Sequence, residues 1–445
     1  MARPIHITTH LIMSLLQLPE KPHEFIQKLH DAGYEAYAVG GCVRDLIMSR
    51  QTHDWDFTTN AKPEEIQIVF PESFYNNEFG TVGVKIVQNT QEEIYEITTY
   101  RTEEGYSDRR RPDTVSWGAS IEEDLARRDF TINAIAYDGA TIVDPHHGKD
   151  DIREKLVRAV GNPKIRFEED ALRLMRAVRI AAQLGFMIEE KTAQQIKQNA
   201  ALIQQIAGER IRDELFKIVM CDHAADGILL LKNMNLLYEI LPEFKNAFET
   251  EQKSPERHHM YDVGTHLVES LRATKSTDSI TRLAILLHDI GKPETVDKTA
   301  EGVVTFFNHE VVGTTIARDI AKRLHLSKKE TGKLMRLVRW HQFSVDEHQT
   351  DKAVRRFIRR VGKDLIDDML ELRRADRIGG GATETSWRTE LYKEKIVEVQ
   401  KQPFEIKDLA ISGNDVMKEL NLKPGPEVGK ILKELFEEVY KKYYR

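Results

Sequence analysis

The chain has 445 residues, enough for about three domains, with an ordinary apolar share of 40% and a high charged share of 31%. Its net charge of −7 argues against a generally basic nucleic-acid binder, although local basic faces can still do that work. Two cysteines, Cys42 and Cys221, exclude a disulfide framework or a cysteine-rich zinc site, and the lack of a long apolar run or signal-peptide core points to a cytoplasmic protein with no membrane partner.

Pro22 to Ala32 reads as a short amphipathic helix and Tyr34 to Val39 as a strand. The strand runs into Val39-Gly-Gly-Cys-Val-Arg-Asp45, and a short polar stretch then leads to Asp54-Trp-Asp-Phe57. Trp55 to Thr58 reads as a second strand. With a side-chain period of two, Asp54 and Asp56 share one face while Trp55 and Phe57 take the other. Two neighbouring carboxylates repel and raise each other's pKa, so the pattern makes sense around divalent cations. Mg2+ is the usual partner of triphosphates, and a pair of ions suits attack by a hydroxyl with loss of pyrophosphate. Gly40 and Gly41 offer backbone against which phosphates can lie, with Arg44 close behind. A glycine pair, about a dozen residues, then Asp-apolar-Asp-apolar resembles the nucleotidyltransferase signature of the polymerase-β superfamily.

Thr81 to Val87 and Glu93 to Thr99 read as a strand pair. Alternation through Ile94-Tyr-Glu-Ile-Thr-Thr-Tyr-Arg101 makes Glu96 the candidate third carboxylate. Residues 101–117 read as a polar, Arg-rich loop. Ser120 and Glu123 have capping-box spacing ahead of Arg127-Arg-Asp-Phe-Thr-Ile-Asn133. There Arg128 suits phosphate, and Asp129 and Asn133 suit ribose hydroxyls. From about Lys149 the pattern is almost entirely helical. Glu168 to Leu184 reads as one helix on which Glu169, Asp170 and Arg173 can meet, with Arg176 and Arg179 continuing the stripe. A solvated, salt-bridged face is the plain alternative. The functional one is that an aspartate and an arginine together match the Watson–Crick edge of cytosine or adenine.

The order of these segments resembles that of the class II tRNA nucleotidyltransferases, the CCA-adding enzymes. The glycine pair with Asp54-Trp-Asp56 is similar to that family's motif A, and Arg128-Asp-Phe-Thr-Ile-Asn133 to motif B. Asp144-Pro-His-His-Gly-Lys-Asp-Asp-Ile152 is similar to motif C, Glu169-Asp-Ala-Leu-Arg173 to motif D, and Glu209-Arg-Ile-Arg-Asp-Glu-Leu215 to motif E. The resemblance implies Mg2+-dependent addition of C, C and A to tRNA from CTP and ATP. It implies that Asp170 and Arg173 read the base while Glu169 orients Arg173, with Arg176 and Arg179 nearer phosphate or the incoming strand. It also makes 101–117 the flexible loop needed to switch from C to A. The open alternatives are an A-adding tRNA nucleotidyltransferase, a poly(A) polymerase, and an HD phosphohydrolase whose head only binds nucleotide.

A second constellation follows. His266, the dyad His288-Asp289, and Asp376 resemble the H…HD…D order of the HD phosphohydrolases, and His309 and His341 between them would permit two metals. Imidazole and carboxylate ligands suit Ni, Mn, Fe, Mg or Zn without choosing among them. His258 and His259 are possible supports. The basic segment Lys352 to Lys363, with Arg355, Arg356, Arg359 and Arg360, and the tail bearing Lys430, Lys433, Lys441, Lys442 and Arg445, are candidate RNA contacts. Two short helices are expected around Leu422-Lys-Pro-Gly-Pro426. The expected fold class is α+β: a polymerase-β-like head with a mixed sheet, then an all-α neck and body containing an HD-type domain. The boundaries are 1–150 for the head, 151–250 for the neck, 251–385 for the HD domain and 386–445 for the tail. Oligomeric state is not legible.

Overall fold

The computed structural model describes residues 16–52, 54–75, 80–88, 91–104, 114–117, 120–252, 261–300, 302–346, 348–401, 406 and 409–444. The chain divides into two compact units, 1–240 and 241–445. No helix among the described residues is long and apolar enough to cross a membrane.

The first unit opens with Glu20–Asp31 (α1), whose stripe of Pro22, Phe25, Ile26 and Leu29 is buried. It starts two residues earlier than the sequence pattern suggests. The strands Ala36–Val39 (β1), Asp56–Thr59 (β2), Ser73–Tyr75 (β3), Thr81–Gln88 (β4), Gln91–Thr99 (β5), Ala136–Tyr137 (β8) and Ile142–Val143 (β9) form one mixed sheet in the order β3-β4-β5-β2-β1-β8-β9. Only β2 and β5 run parallel; the other neighbours are antiparallel. One face is packed by aromatic side chains: Phe25 lies 4.5 Å from Phe57 and 4.5 Å from Phe70, and Phe57 lies 5.3 Å from Tyr95. This core fixes the sheet's polarity, because burying Phe57 and Tyr95 turns Asp56 and Glu96 to the opposite face.

Two local readings change. The stretch 101–117 is not simply a loop: Arg101–Glu104 (β6) pairs with Thr114–Trp117 (β7) in an antiparallel ribbon. The middle of that stretch, 105–113, lies outside the described residues. The helix read over 168–184 is two, Pro163–Glu169 (α2) and Leu172–Leu184 (α3). Asp170 sits between them in extended geometry and accepts the Leu172 N–H at 3.0 Å. Aspartate competes for backbone donors in this way, which favours a helix start over a helix interior. The helix Gly208–Met220 (α4) packs beside α3.

The second unit is helical apart from one two-stranded ribbon among its described residues. Val263–Ala273 (α5) and Ser279–Leu287 (α6) are each capped by an aspartate, Asp262 and Asp278. They are followed by His309–Arg323 (α7), Lys328–Trp340 (α8), Asp351–Val361 (α9) and Ile366–Gly379 (α10). In the tail, Gly413–Leu420 is short, but Pro426–Tyr444 runs for 19 residues, longer than expected.

Candidate nucleotidyl-transfer and metal sites

In the head, β1 ends at a turn where Gly40 takes φ +88°, a conformation that penalises any side chain. A Cβ there would lie 3.2 Å from Arg128 Nη1 and 3.9 Å from Asp56 Oδ2. The glycine therefore lets a guanidinium and a carboxylate share one corner. Gly41 opens the following helix, Gly41–Ile47, and Arg44 lies over it. Arg44 Nη1 donates to Asn133 Oδ1 at 2.7 Å and its fork holds Asp45.

Asp56 begins β2 and pairs in register with Glu96 on β5, so both carboxylates leave one face side by side. Asp54 is exposed and lies two residues before the strand, on its approach rather than within it. Burial pushes the Asp56 carboxyl up to about 6, with Asp54 and Glu96 adding to the rise and Arg128 and Arg176 opposing it. Such crowding of negative charge at a half-buried carboxylate fits a divalent cation.

Arg128 is placed by a residue the motif reading passed over. Asp124 is fully buried; its Oδ2 lies 3.4 Å from Arg128 Nη2, and its Oδ1 accepts from Arg127 Nε at 3.0 Å. Burial would raise Asp124, yet the two arginines hold it below the usual carboxylate range. The i, i+3 and i, i+4 spacing to Arg127 and Arg128 is the signal that could have found it. Asp129 and Asn133, 7% and 8% exposed, are committed to protein partners rather than open to ribose. Asp129 Oδ2 pairs with Arg176 at 2.8 Å, and Asn133 accepts from Arg44.

The neck residues are likewise held. Glu169 Oε2 lies 2.5 Å from Arg173 Nη1 and 3.1 Å from Arg166. Arg173 also donates to the Arg166 and Arg127 carbonyls at 3.0 and 3.3 Å. Asp170 does not pair with Arg173; it takes Arg210 of α4 at 3.0 Å. Arg179 pairs with buried Glu214 at 3.1 Å, and its own burial pushes its pKa down. Arg210 was missed as a site residue: it lies 40 positions away, and only the packing of α4 on α3 brings it in.

In the second unit, four imidazoles and two carboxylates converge. Asp289 faces two histidine pairs at once. Its Oδ2 is 3.4 Å from both His266 and His288 Nε2, and its Oδ1 is 3.2 Å from His309 and 3.4 Å from His341 Nε2. Asp376 Oδ1 adds to the first pair, 3.2 Å from His266. His288, His309 and His341 bond the Ile285, Phe306 and Val338 carbonyls through Nδ1 at 2.8, 2.7 and 2.8 Å. With Nδ1–H donating, each ring presents the Nε2 lone pair inward, the tautomer a metal ligand needs. His266–His288–Asp289 and Asp289–His309–His341 are thus two groups that could each hold a metal ion, sharing one carboxylate. Burial pushes His288 down, but Asp289 and Asp376 outweigh it and raise it to about 10, so a metal ion bound at its Nε2 would take the place of a proton. Both carboxylates stay well below their usual range despite burial. This charge pattern, with imidazole nitrogens and carboxylate oxygens already converged, fits metal ions. Lys292, 2.6 Å from Asp289, and Arg373, 3.3 Å from Asp376, edge an adjoining cavity of about 430 Å³.

Comparison with known proteins fits the geometry of the head. The model described as "Poly A polymerase head domain" matches residues 36–158, "Probable RNA and SrmB-binding site of polymerase A" matches 185–248, and the model of tRNA nucleotidyltransferase domain 2 matches 297–444. The CCA-adding enzyme of Lactococcus lactis subsp. lactis (strain IL1403) is 34% identical over 436 residues, covering 96% of each chain. The chain belongs to the CCA-adding enzyme family. The CCA-adding enzyme of Lactobacillus helveticus is 47% identical, over a stretch that spans 52% of this chain and 57% of that relative. The Bacillus stearothermophilus CCA-adding enzyme, solved in complex with CTP, superposes with a TM-score of 0.66 at 28% identity, covering 95% of this chain and 93% of that one. The Thermotoga maritima CCA-adding enzyme, solved with tRNA, shares the fold at a TM-score of 0.58 and 17% identity, covering 98% and 94%.

In this CCA-adding family member, one candidate RNA contact changes. Arg355 is 2% exposed and donates to the Val399 carbonyl at 3.0 Å, so it ties α9 to the helix Trp387–Gln400 instead of facing solvent. Arg356, Arg359 and Arg360 stay exposed, with Arg360 over the Trp340 ring at 4.8 Å. His258, His259, Arg445 and the side chains of Lys441 and Lys442 lie outside the described residues.

Proposed function

We propose that the protein adds and repairs the 3′-terminal CCA of tRNA, using CTP and ATP. The observation that carries this reading is the pairing of Asp56 with Glu96 beside the Gly40–Arg128 corner. It supplies a carboxylate row next to a backbone corner free of side chain and a guanidinium. Full-length likeness to CCA-adding enzymes supports it over A-only addition, poly(A) synthesis or nucleotide binding alone.

In this reading the Gly40–Gly41 backbone, Arg44 and Arg128 cradle the triphosphate, and Asp124 holds Arg128 in place. Asp54 and Asp56 hold divalent ions, Mg2+ by the chemistry of triphosphates, and Glu96 stands beside them. Such ions, when bound, favour ionisation of the attacking hydroxyl and neutralise charge on departing pyrophosphate. The acceptor 3′-oxygen forms the new bond to the α-phosphorus as the bond to pyrophosphate breaks, and the hydroxyl proton leaves toward the carboxylates. Asp129 and Asn133 serve the nucleotide by fixing Arg176 and Arg44. Asp170 and Arg173 read the Watson–Crick edge after exchanging contacts with Arg210 and the backbone carbonyls for the base, with Glu169 keeping Arg173 aimed.

The test supplies magnesium and tRNA ending before CCA, after C, or after CC, with CTP, ATP, UTP or GTP given singly. Ordered C, C, A addition is expected. Long A tails, or A added only after CC, would replace the reading.

A second reading is favoured by one observation: Asp289 is shared between two histidine pairs. The second unit is then a dinuclear phosphoester hydrolase, its ligands His266, His288, Asp289, His309, His341 and Asp376, its metal Ni, Mn, Fe, Mg or Zn. Two ions per chain and turnover of 2′,3′-cyclic phosphates are expected; a metal content near zero after loading with each ion would remove it. The division into head, neck, HD domain and tail at 150, 250 and 385 accompanies both proposals.

A further inference from the structure

In-line transfer puts the attacking and leaving oxygens on opposite sides of the phosphorus. The triphosphate cradle lies at the end of β1, on one flank of β2. The acceptor must therefore approach over the other flank, across β5, β4 and β3. The register on that flank is continuous: Asp56 pairs with Glu96, Glu96 with Gly83, and Gly83 with Phe74. Paired residues share a face, so the row of carboxylates extends directly into Gly83 and Phe74.

Gly83 has no side chain, and the Phe74 ring lies down in that space. Its Cζ, Cε2 and Cε1 are 2.5, 2.8 and 3.0 Å from where a Cβ at 83 would sit. The ring is brought about one strand spacing, roughly 4.8 Å, beyond Glu96 and remains 37% exposed. In the adjoining row of the same face, exposed Lys85 pairs with Ile94, which is 56% exposed. An aromatic ring, an aliphatic floor and an ammonium together line the acceptor's approach.

We propose that this face of β3–β5 holds the unpaired 3′ end of the RNA acceptor, with Phe74 stacking on a base, Ile94 beneath it and Lys85 on a phosphodiester. The proposal rests on the nucleotidyl-transfer reading. A platform that stacks without reading hydrogen bonds suits an enzyme whose acceptor ends in a different base after each addition, because every base has a π face.

The probe is a minihelix RNA with a 2-aminopurine as its unpaired 3′-terminal base. Wild-type protein should quench its fluorescence on binding. Phe74→Leu still covers Gly83 but has no π face; it should abolish the quench and weaken binding by about tenfold, within the range for loss of one stacked base. Phe74→Trp should restore both, while the KM for CTP and the affinity for a blunt-ended duplex stay unchanged. Lys85→Gln should reduce the salt slope of binding by about 0.7, the value for one single-strand phosphate. Wild-type quench and affinity in Phe74→Leu, or an equal loss on the blunt duplex, would overturn the platform. A wild-type protein that incorporates no nucleotide would instead overturn the reading beneath it.

Discussion

The two candidate sites solve opposite problems with similar side chains. In the head, Asp54 and Glu96 are exposed, Asp56 is half-buried, and the arginines around them are held by other protein groups. In the HD-type site, His266, His288, Asp289, His309 and His341 are no more than 4% exposed, and three imidazoles are fixed by backbone carbonyls. On the proposed function, the head admits a nucleotide and an RNA end and then releases pyrophosphate, which fits charges kept near but not enclosed. The second site's imidazoles and carboxylates are converged and buried, as a proposed set of metal ligands requires. Burial of side chains, more than their identity, separates the site proposed to turn over large substrates from the one proposed to keep an ion.

Single substitutions can break this contrast. Glu96→Gln should lower kcat for CTP incorporation by about 10²–10³, the scale for losing one stabilising group at a reacting centre, with little change in CTP affinity. An equal fall in affinity would make Glu96 a ground-state contact. Asp289→Asn removes the carboxylate shared by both triads. Metal content by mass spectrometry should fall from two ions per chain, with affinity down at least 100-fold, while CCA addition continues. Arg173→Ala should cost about tenfold in discrimination between CTP and UTP as well as rate. Wild-type selectivity would remove Arg173 from base reading. Gly40→Ala should destabilise the head by about 1–2 kcal/mol, because alanine pays for positive φ and its methyl meets Arg128. An unchanged melting temperature would mean the turn can relax. The smallest effect concerns Cys42, which is buried, with its thiol pushed up to about 11 by burial. At neutral pH a maleimide should label Cys221 and spare Cys42; equal labelling would mean that the head opens as readily as the surface.

Much of this was legible because it depends on local period. Alternation along 94–101 put Glu96 on one face, and the alternation of Asp56 with Phe57 did the same for Asp56, while Asp54 precedes the strand. One aromatic core then brought both strands into register. The six candidate HD-type ligands were legible as residue types in a given order. The two triads sharing Asp289 were not, because Oδ1 and Oδ2 are assigned only by the packing of the helices around them. The break at Asp170 was hidden because Glu168 to Leu184 has helical periodicity throughout, and one aspartate accepting a single N–H decides the matter. Arg210 and Phe74 were missed because each becomes relevant through a partner that packing or pairing supplies, Asp170 and Gly83. Asp124 was passed over although its spacing to Arg127 and Arg128 is local.

The most direct test is single-turnover CMP transfer to tRNA lacking CCA, with pyrophosphate release followed in parallel, for the wild type and Asp56→Asn. The account predicts stoichiometric C, C and then A addition by the wild type. For Asp56→Asn it predicts loss of both signals by about 10³ or more, with the HD-type site still holding its metal. Near-normal transfer in that variant would contradict the assignment of nucleotidyl transfer to the carboxylate row of the head.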